Sequence, residues 1–287
     1  MTSEENPPGA PAPVVKAVGR AGRNLPAAIA SGVVLLALIA GSLYFWKPAF
    51  VALVTAAILL GVWELKDAFR ARGILLPYEP LLAGAVVMLV GAYVSGTPAL
   101  VTALAVTSLV MMLWRLRGGV DGFVRDATAG VFTAVYVPFL AGFVMLLLKP
   151  DDGALRVVTF ILVTIASDIG GYAVGVIAGK HPMAPVISPK KSWEGFAGST
   201  VFCVGAGWAT VVYFLDGPWW VGVLLGLVVV VMATLGDLCE SVIKRDMGIK
   251  DMSAIIPGHG GLMDRLDSLL ATVAPTWLLL YYLVPVS

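Results

Sequence analysis

Residues 80–114 read PLLAGAVVMLVGAYVSGTPALVTALAVTSLVMMLW, 35 positions without an acid or a base. A helix crosses a bilayer in about 20 apolar residues, so this run is too long for one span. The turn signal Ser95-Gly96-Thr97-Pro98 at its middle divides it into two. The same pattern continues outward. Ala27–Phe45 and Pro48–Trp63 precede it, and Ala127–Leu148, Ala154–Gly179 (interrupted by Asp168), Gly195–Leu215, Gly217–Gly236 and Ser268–Val286 follow. The expected fold class is therefore all-α, a polytopic integral membrane protein of about nine transmembrane helices. Composition agrees: 59% of residues are hydrophobic and 13% charged, against about 25% charged in a soluble domain. That excludes a soluble enzyme and a disordered chain. A net charge of +1 leaves no broad basic surface for nucleic acid.

The few bases give the expected orientation, because Lys and Arg collect on the cytoplasmic side. With the N-terminus inside, only Lys47, Lys149 and Arg156 of the 19 Lys and Arg fall in outer loops. Removing one early span would scramble this alternation. Residues 1–24, with Glu4, Glu5 and the Pro/Gly-rich stretch Pro7–Pro13, read as a disordered cytoplasmic tail. Residues 25–150 hold spans one to five, and residues 151–287 hold spans six to nine with most of the chemistry-bearing side chains. Segment 64–79 reads either as an amphipathic helix along the interface or as a solvated connector. Cys203 and Cys239 fall in or beside spans, and two cysteines make no zinc cluster.

Two cytoplasmic loops are denser in polar residues than the rest. One runs from Asp168 through Gly171-Tyr172, Gly175 and Gly179-Lys180-His181 to Ser188-Pro189-Lys190-Lys191-Ser192-Trp193-Glu194-Gly195. The other, 237–267, holds six of the 18 acids. Continuing span eight as a helix puts Asp237, Glu240, Ser241 and Lys244 at i, i+3, i+4 and i+7, on one face. Asp264 and Asp267 are likewise i, i+3 at the start of span nine. Carboxylates at membrane depth are costly unless they face water, a cation or a base. Such oxygen ligands suit Mg²⁺, which takes one or two carboxylates and completes its shell with water and substrate phosphate. Gly258-His259-Gly260-Gly261 lets backbone N–H groups approach an anion closely. Ser188, Lys190, Lys191, Lys244, Arg245 and Arg265 are donors that phosphates attract. Each feature alone has a plainer reading. Asp168 could pack helices, Lys190-Lys191 and Lys244-Arg245 could only mark the inner face, His259 could be a loop histidine, and Trp193 an interfacial anchor. Their conjunction on one side of the membrane is what points to chemistry.

The residues Ser241-x-Ile243-Lys244-Arg245-x4-Lys250-Asp251-x-Ser253-x2-Ile256-Pro257-x-His259-Gly260-Gly261-Leu262-x-Asp264-Arg265-Leu266-Asp267 resemble, over 27 positions, the signature of phosphatidate cytidylyltransferases (CDP-diacylglycerol synthases). Asp168-x2-Gly171-Tyr172 resembles the family's Asp-x-x-Ala-Tyr element, with Gly for Ala. Ser188-Pro189-Lys190-Lys191-Ser192-Trp193 resembles its Ser-Pro-x-Lys-Thr-Trp segment, with Ser192 keeping the hydroxyl of Thr.

The resemblance implies CTP and phosphatidate as substrates, CDP-diacylglycerol and diphosphate as products, Mg²⁺ dependence, with room for a second cation, monovalent or divalent, and a homodimer in the bacterial inner (plasma) membrane with its site on the cytoplasmic side. Carried onto this sequence, Asp237 and Asp264 become the metal ligands and, with Lys191 and Lys244, the catalytic set. Asp168, Ser188, Lys190, Ser241, Arg245, Lys250, Asp251, His259, Gly260, Gly261, Arg265 and Asp267 become the substrate-binding set. Two other readings stay open. One is a CTP-dependent polyprenol or phytol kinase, against which the Ser241–Asp267 signature argues. The other is an ion-coupled carrier using Asp168, Asp237 and Glu240, against which the one-sided placement of the acids argues.

Overall fold

The structure, a computed structural model, describes residues 25–253, 255 and 260–286; the tail expected over 1–24 and the binding role expected of His259 lie outside the described residues. In chain order the elements are α1 (Leu25–Phe45), α2 (Lys47–Ala71), α3 (Tyr78–Ser95), α4 (Thr97–Arg115), α5 (Phe123–Ala134), α6 (Leu140–Leu148) and α7 (Gly153–Ala178). A hairpin of β1 (Pro182–Ala184) and β2 (Ser188–Ser192) follows, then α8 (Trp193–Leu215), α9 (Trp219–Met247) and α10 (Met263–Leu283). α5 and α6 form one rod joined by a π turn at Val135–Phe139 that contains Pro138. Proline has no amide N–H to complete the ladder, and a widened turn absorbs the defect. Among the described residues, eight rods are long and apolar enough to cross a membrane: α2, α3, α4, α5–α6, α7, α8, α9 and α10.

These eight coincide with the second to ninth spans expected from sequence. The break inside residues 80–114 falls at Gly96, whose φ of 82° suits a residue without a side chain, with Pro98 in the first turn of α4. Large apolar side chains such as Val87, Val94, Val101, Ile177, Val201 and Tyr213 face outward. An apolar exterior around a packed interior is what a lipid solvent requires, and the chain is an integral membrane protein.

Lipid-solvated helices gain little from apolar burial against one another and associate through close backbone approach at small residues. α7 and α8 do so at three levels, Gly170 on Gly198, Gly171 on Ser199 and Gly175 on Gly195. A Cβ built on Gly198 would lie 2.6 Å from the Gly170 carbonyl oxygen. α8 and α9 repeat the device, with Gly207 against Gly222 and Gly226 against the Cys203 backbone.

Helix ends sort into two groups as the base distribution requires. At one end Lys47 Nζ donates to the carbonyls of Pro150 and Asp151, and Lys149 Nζ to that of Val94. Arg156, buried beside Asp152 at 2.8 Å, donates there to the carbonyls of Leu280, Val284 and Pro285. The polar loops gather at the other end. Arg72 Nε donates to the Met247 carbonyl, and Asp126 accepts from Arg115, Arg125 and the Leu75 amide.

Two details differ from the sequence reading. Residues 64–71 are neither a separate interfacial helix nor a solvated connector: they continue α2, with Glu64, Leu65, Ala68 and Phe69 buried at helical spacing. The segment after α7, expected as a loop, contains the β1–β2 hairpin, paired Pro182 to Ser192 and Ala184 to Ser188.

Candidate active site

At the polar end, α7, β2, the first turn of α8 and α9 enclose a cleft of about 290 Å³. The glycine contacts that bring α7 and α8 together also form part of its lining, since Gly171, Gly175 and Gly195 present backbone there. Asp168, Lys190, Lys191 and Asp237 supply its charge, and Ser167, Ser199 and Thr234 its hydroxyls. The hairpin brings the lysines to the cleft. Ser192 closes β2 and caps α8, its Oγ accepting from Gly195 N at 3.1 Å. Glu194 then accepts from the backbone N–H groups of Lys180 and His181 and pairs with His181 Nδ1 at 2.5 Å, fixing the start of the hairpin. Across the cleft, Lys191 Nζ stands 2.5 Å from Asp237 Oδ2.

A second group forms where α9 meets α10. As expected, Asp237, Glu240, Ser241 and Lys244 share one face of the continued helix. Lys244 Nζ donates to Glu240 Oε2 at 2.6 Å and to Asp264 Oδ1 at 2.8 Å. Asp264 Oδ2 also accepts from the amides of Met252 and Gly261, at 3.0 and 2.9 Å. The glycine pair thus does let backbone N–H groups approach an anion, and in this structure the anion is Asp264 itself. Gly260 has φ 84°, and a Cβ built on Gly261 would lie 2.9 Å from Asp264 Oδ2.

The two groups are electrostatically continuous. Asp168 lies within charge–charge range of Asp237 and Asp267 and of the bases Lys191 and Arg265, and Asp267 within range of Asp237, Glu240 and Lys244. Gly236 makes this closeness possible, because a Cβ there would lie 2.8 Å from the Asp267 carbonyl oxygen. Ser188 opens β2 outside the cleft, while Arg245, Lys250, Asp251 and Arg265 are exposed on the same polar end. Of the residues singled out from sequence, Asp168, Lys190, Lys191 and Asp237 line the cleft and Glu240, Lys244, Asp264 and Asp267 group beside it. Ser188, Arg245, Lys250 and Asp251 share only the polar end, and His259 is not among the described residues.

The donor set suits a hard cation. Carboxylate and hydroxyl oxygens are on offer, and Glu240 Oε1 is buried without a hydrogen-bond partner. Among the described residues no three His, Cys, Asp or Glu form a ready-made cage. An ion here would draw part of its shell from water and substrate, as Mg²⁺ does.

Sequence reasoning missed Glu64, which reaches the loop before α10 from α2. It also passed over Glu194 and His181 as the clasp of the hairpin. The available signals were an acid directly after the apolar run of one helix and an acid in the first turn of another.

The description "Cytidylyltransferase family" fits residues 26–283. A protein of Mycobacterium leprae named phosphatidate cytidylyltransferase is 43% identical over 277 residues, covering 91% of this chain and 89% of its own length. A Mycobacterium bovis protein of the same name is 41% identical over 274 residues, with 91% and 90% covered. One from Haemophilus influenzae is 28% identical over 285 residues, with 89% and 98% covered. These matches take in both the transmembrane bundle and the acid–base cleft at its polar end, and the chain belongs to the cytidylyltransferase family of membrane nucleotidyltransferases.

Proposed function

We propose that the enzyme transfers the cytidylyl group of CTP to phosphatidate, giving CDP-diacylglycerol and diphosphate for phospholipid synthesis. The observation that carries this reading is the Lys191–Asp237 pair across a glycine-lined cleft at the polar end of an apolar bundle. A lipid phosphate resting at headgroup depth and a soluble nucleotide can meet there, with the acyl chains left in lipid.

A phosphatidate phosphate oxygen attacks the α-phosphorus of CTP in line. The bond from that phosphorus to the oxygen bridging to the β-phosphate breaks, and diphosphate leaves with the electron pair. The attacking phosphate is already ionised at pH 7, so positioning and charge neutralisation are what the protein must supply. Lys191, Lys190 and Ser188 grip one phosphate group from the hairpin. Lys244, Arg245 and Arg265 steer the other, with Ser241, Lys250, Gly260 and Gly261 adding donors and His259 a further phosphate or loop contact. Asp168, Asp251 and Asp267 orient these bases. Asp237 and Asp264 would hold Mg²⁺, which supplies neutralisation of the triphosphate and of the leaving diphosphate. The close approach of Glu240 and Asp267, with Glu240 Oε1 buried and without a hydrogen-bond partner, suits the two to a shared second cation.

The accompanying topology counts α1 as a ninth span, with the N-terminus and the site on the cytoplasmic face of a bacterial inner membrane. The distribution of Lys and Arg supports it. Residues 151–287 carry the chemistry and residues 25–150 brace it, and the resemblance to the family supports a homodimer. The test is to incubate membranes containing the protein with phosphatidate and CTP labelled at the α- or the γ-phosphorus. Label from the α position must enter CDP-diacylglycerol with Mg²⁺ present. Label entering lipid from the γ position would make it a kinase, and none from either would favour a carrier.

A further inference from the structure

Glu64 sits on α2 with 1% of its surface exposed, and its partners lie about 190 residues away in sequence. Its Oε1 accepts from Ser253 Oγ at 2.5 Å and from Leu262 N at 2.9 Å, and its Oε2 from Met263 N at 2.8 Å. Leu262 and Met263 stand at the start of α10, where amide donors have no partner within the helix and the helix dipole favours an anion. In most helices a residue just before the first turn supplies that acceptor. Here an acid from another span does so.

The bonds alternate with those of Asp264 in a regular way. Met252 N goes to Asp264 and the neighbouring Ser253 Oγ to Glu64; Gly261 N goes to Asp264 and the neighbouring Leu262 N to Glu64. Two carboxylates thus hold both ends of the loop, at 252–253 and 261–262, together. One of them, Asp264, also holds Lys244. Gly61, one turn before Glu64, lets Met263 pack against α2, since a Cβ there would lie 2.9 Å from Met263 Sδ.

We propose that Glu64 is a positioning residue for cytidylyl transfer, fixing Asp264 and Lys244 through the amides of Leu262 and Met263 and the hydroxyl of Ser253. This rests on the reading of the site given above. Glu64 touches neither substrate; it sets where the residues that do are held. A displacement of about 1 Å at a reacting centre is enough to cost about a hundredfold in rate.

The experiment compares full-length purified wild type, Glu64→Gln and Glu64→Asp. Glutamine keeps the size but turns an NH2 group toward an amide donor, whereas aspartate keeps two acceptor oxygens. The expected result is kcat lowered about tenfold or more in Glu64→Gln, with smaller changes in KM for CTP and phosphatidate, and partial recovery in Glu64→Asp. Backbone hydrogen exchange over 250–266 should quicken in Glu64→Gln. A merely structural role would lower the melting temperature and leave kcat per folded molecule unchanged, and that outcome overturns the proposal. If Glu64→Gln does not fold, Ser253→Ala, which removes one of the three donors, takes its place, and wild-type kcat and exchange there overturn it equally. Should the wild type itself form no CDP-diacylglycerol, the functional reading falls. Exchange then decides alone, and unchanged protection over 250–266 overturns the role of Glu64.

Discussion

Lys191 on the hairpin and Asp237 on α9 meet at 2.5 Å across the cleft, with 22% and 36% of their side chains exposed. The pair is reachable from water, so a triphosphate can compete for the lysine and a cation for the aspartate without a buried charge being uncovered.

Lys191→Ala is expected to lower kcat/KM by about 10²–10³, the usual effect of removing one preorganised donor to a developing charge. Steady-state assays with varied CTP check it. Lys190→Ala, on the more exposed neighbour, should cost less than Lys191→Ala. Equal losses would mean that the cleft does not distinguish the two bases.

Asp264→Asn should reduce CDP-diacylglycerol formation by at least about 10² at saturating substrate, because the amide can neither hold Mg²⁺ as a carboxylate does nor accept from Lys244 and two amides together. Chelation of divalent ions should stop the wild type, and added Mg²⁺ restore it. Wild-type turnover by Asp264→Asn with Mg²⁺ would remove Asp264 from the metal set.

Gly198→Ala should destabilise the bundle by about 1–3 kcal/mol, since the added methyl meets the Gly170 carbonyl and Val174. Gly205→Ala, on the same helix with nothing within 4 Å, should melt at or slightly above the wild-type temperature. Thermal unfolding in one detergent compares them directly. Equal melting temperatures would contradict the close crossing of α7 and α8.

Arg156→Met should cost about 3–5 kcal/mol, the usual result of leaving one member of a buried ion pair alone. Because residue 156 lies about 18 Å along α7 from Asp168 at the helical rise per residue, the molecules that remain folded should keep wild-type kcat. Melting curves and the activity of the folded fraction, measured on one preparation, separate the two effects.

Much of this was legible because membrane helices obey a length rule and an α-helix a fixed period. The shared face of Asp237, Glu240, Ser241 and Lys244 needed only the period, and the break at Gly96 needed the length rule with the Ser95-Gly96-Thr97-Pro98 turn signal. The hairpin was hidden because Pro182, Pro189, Lys190 and Lys191 are poor strand formers, and it is held from outside by Glu194 and the Ser192 cap. Glu64 was hidden for a different reason. Sequence near position 64 shows an acid where an apolar run meets Lys66, Asp67 and Arg70, but whether it is solvated or buried depends on Ser253, Leu262 and Met263, which no local pattern connects to it. Asp264 stood out in the signature, yet its bonds to Met252 and Gly261 depend on a loop path that helical spacing does not describe.

The closure of the loop ends by Glu64 and Asp264 has a mechanical corollary. With residues 252–253 and 261–262 held by these two acids, α2 and α10 are coupled at the polar end. α10 cannot tilt away from α2 there without breaking the bonds that seat Asp264 and, through it, Lys244.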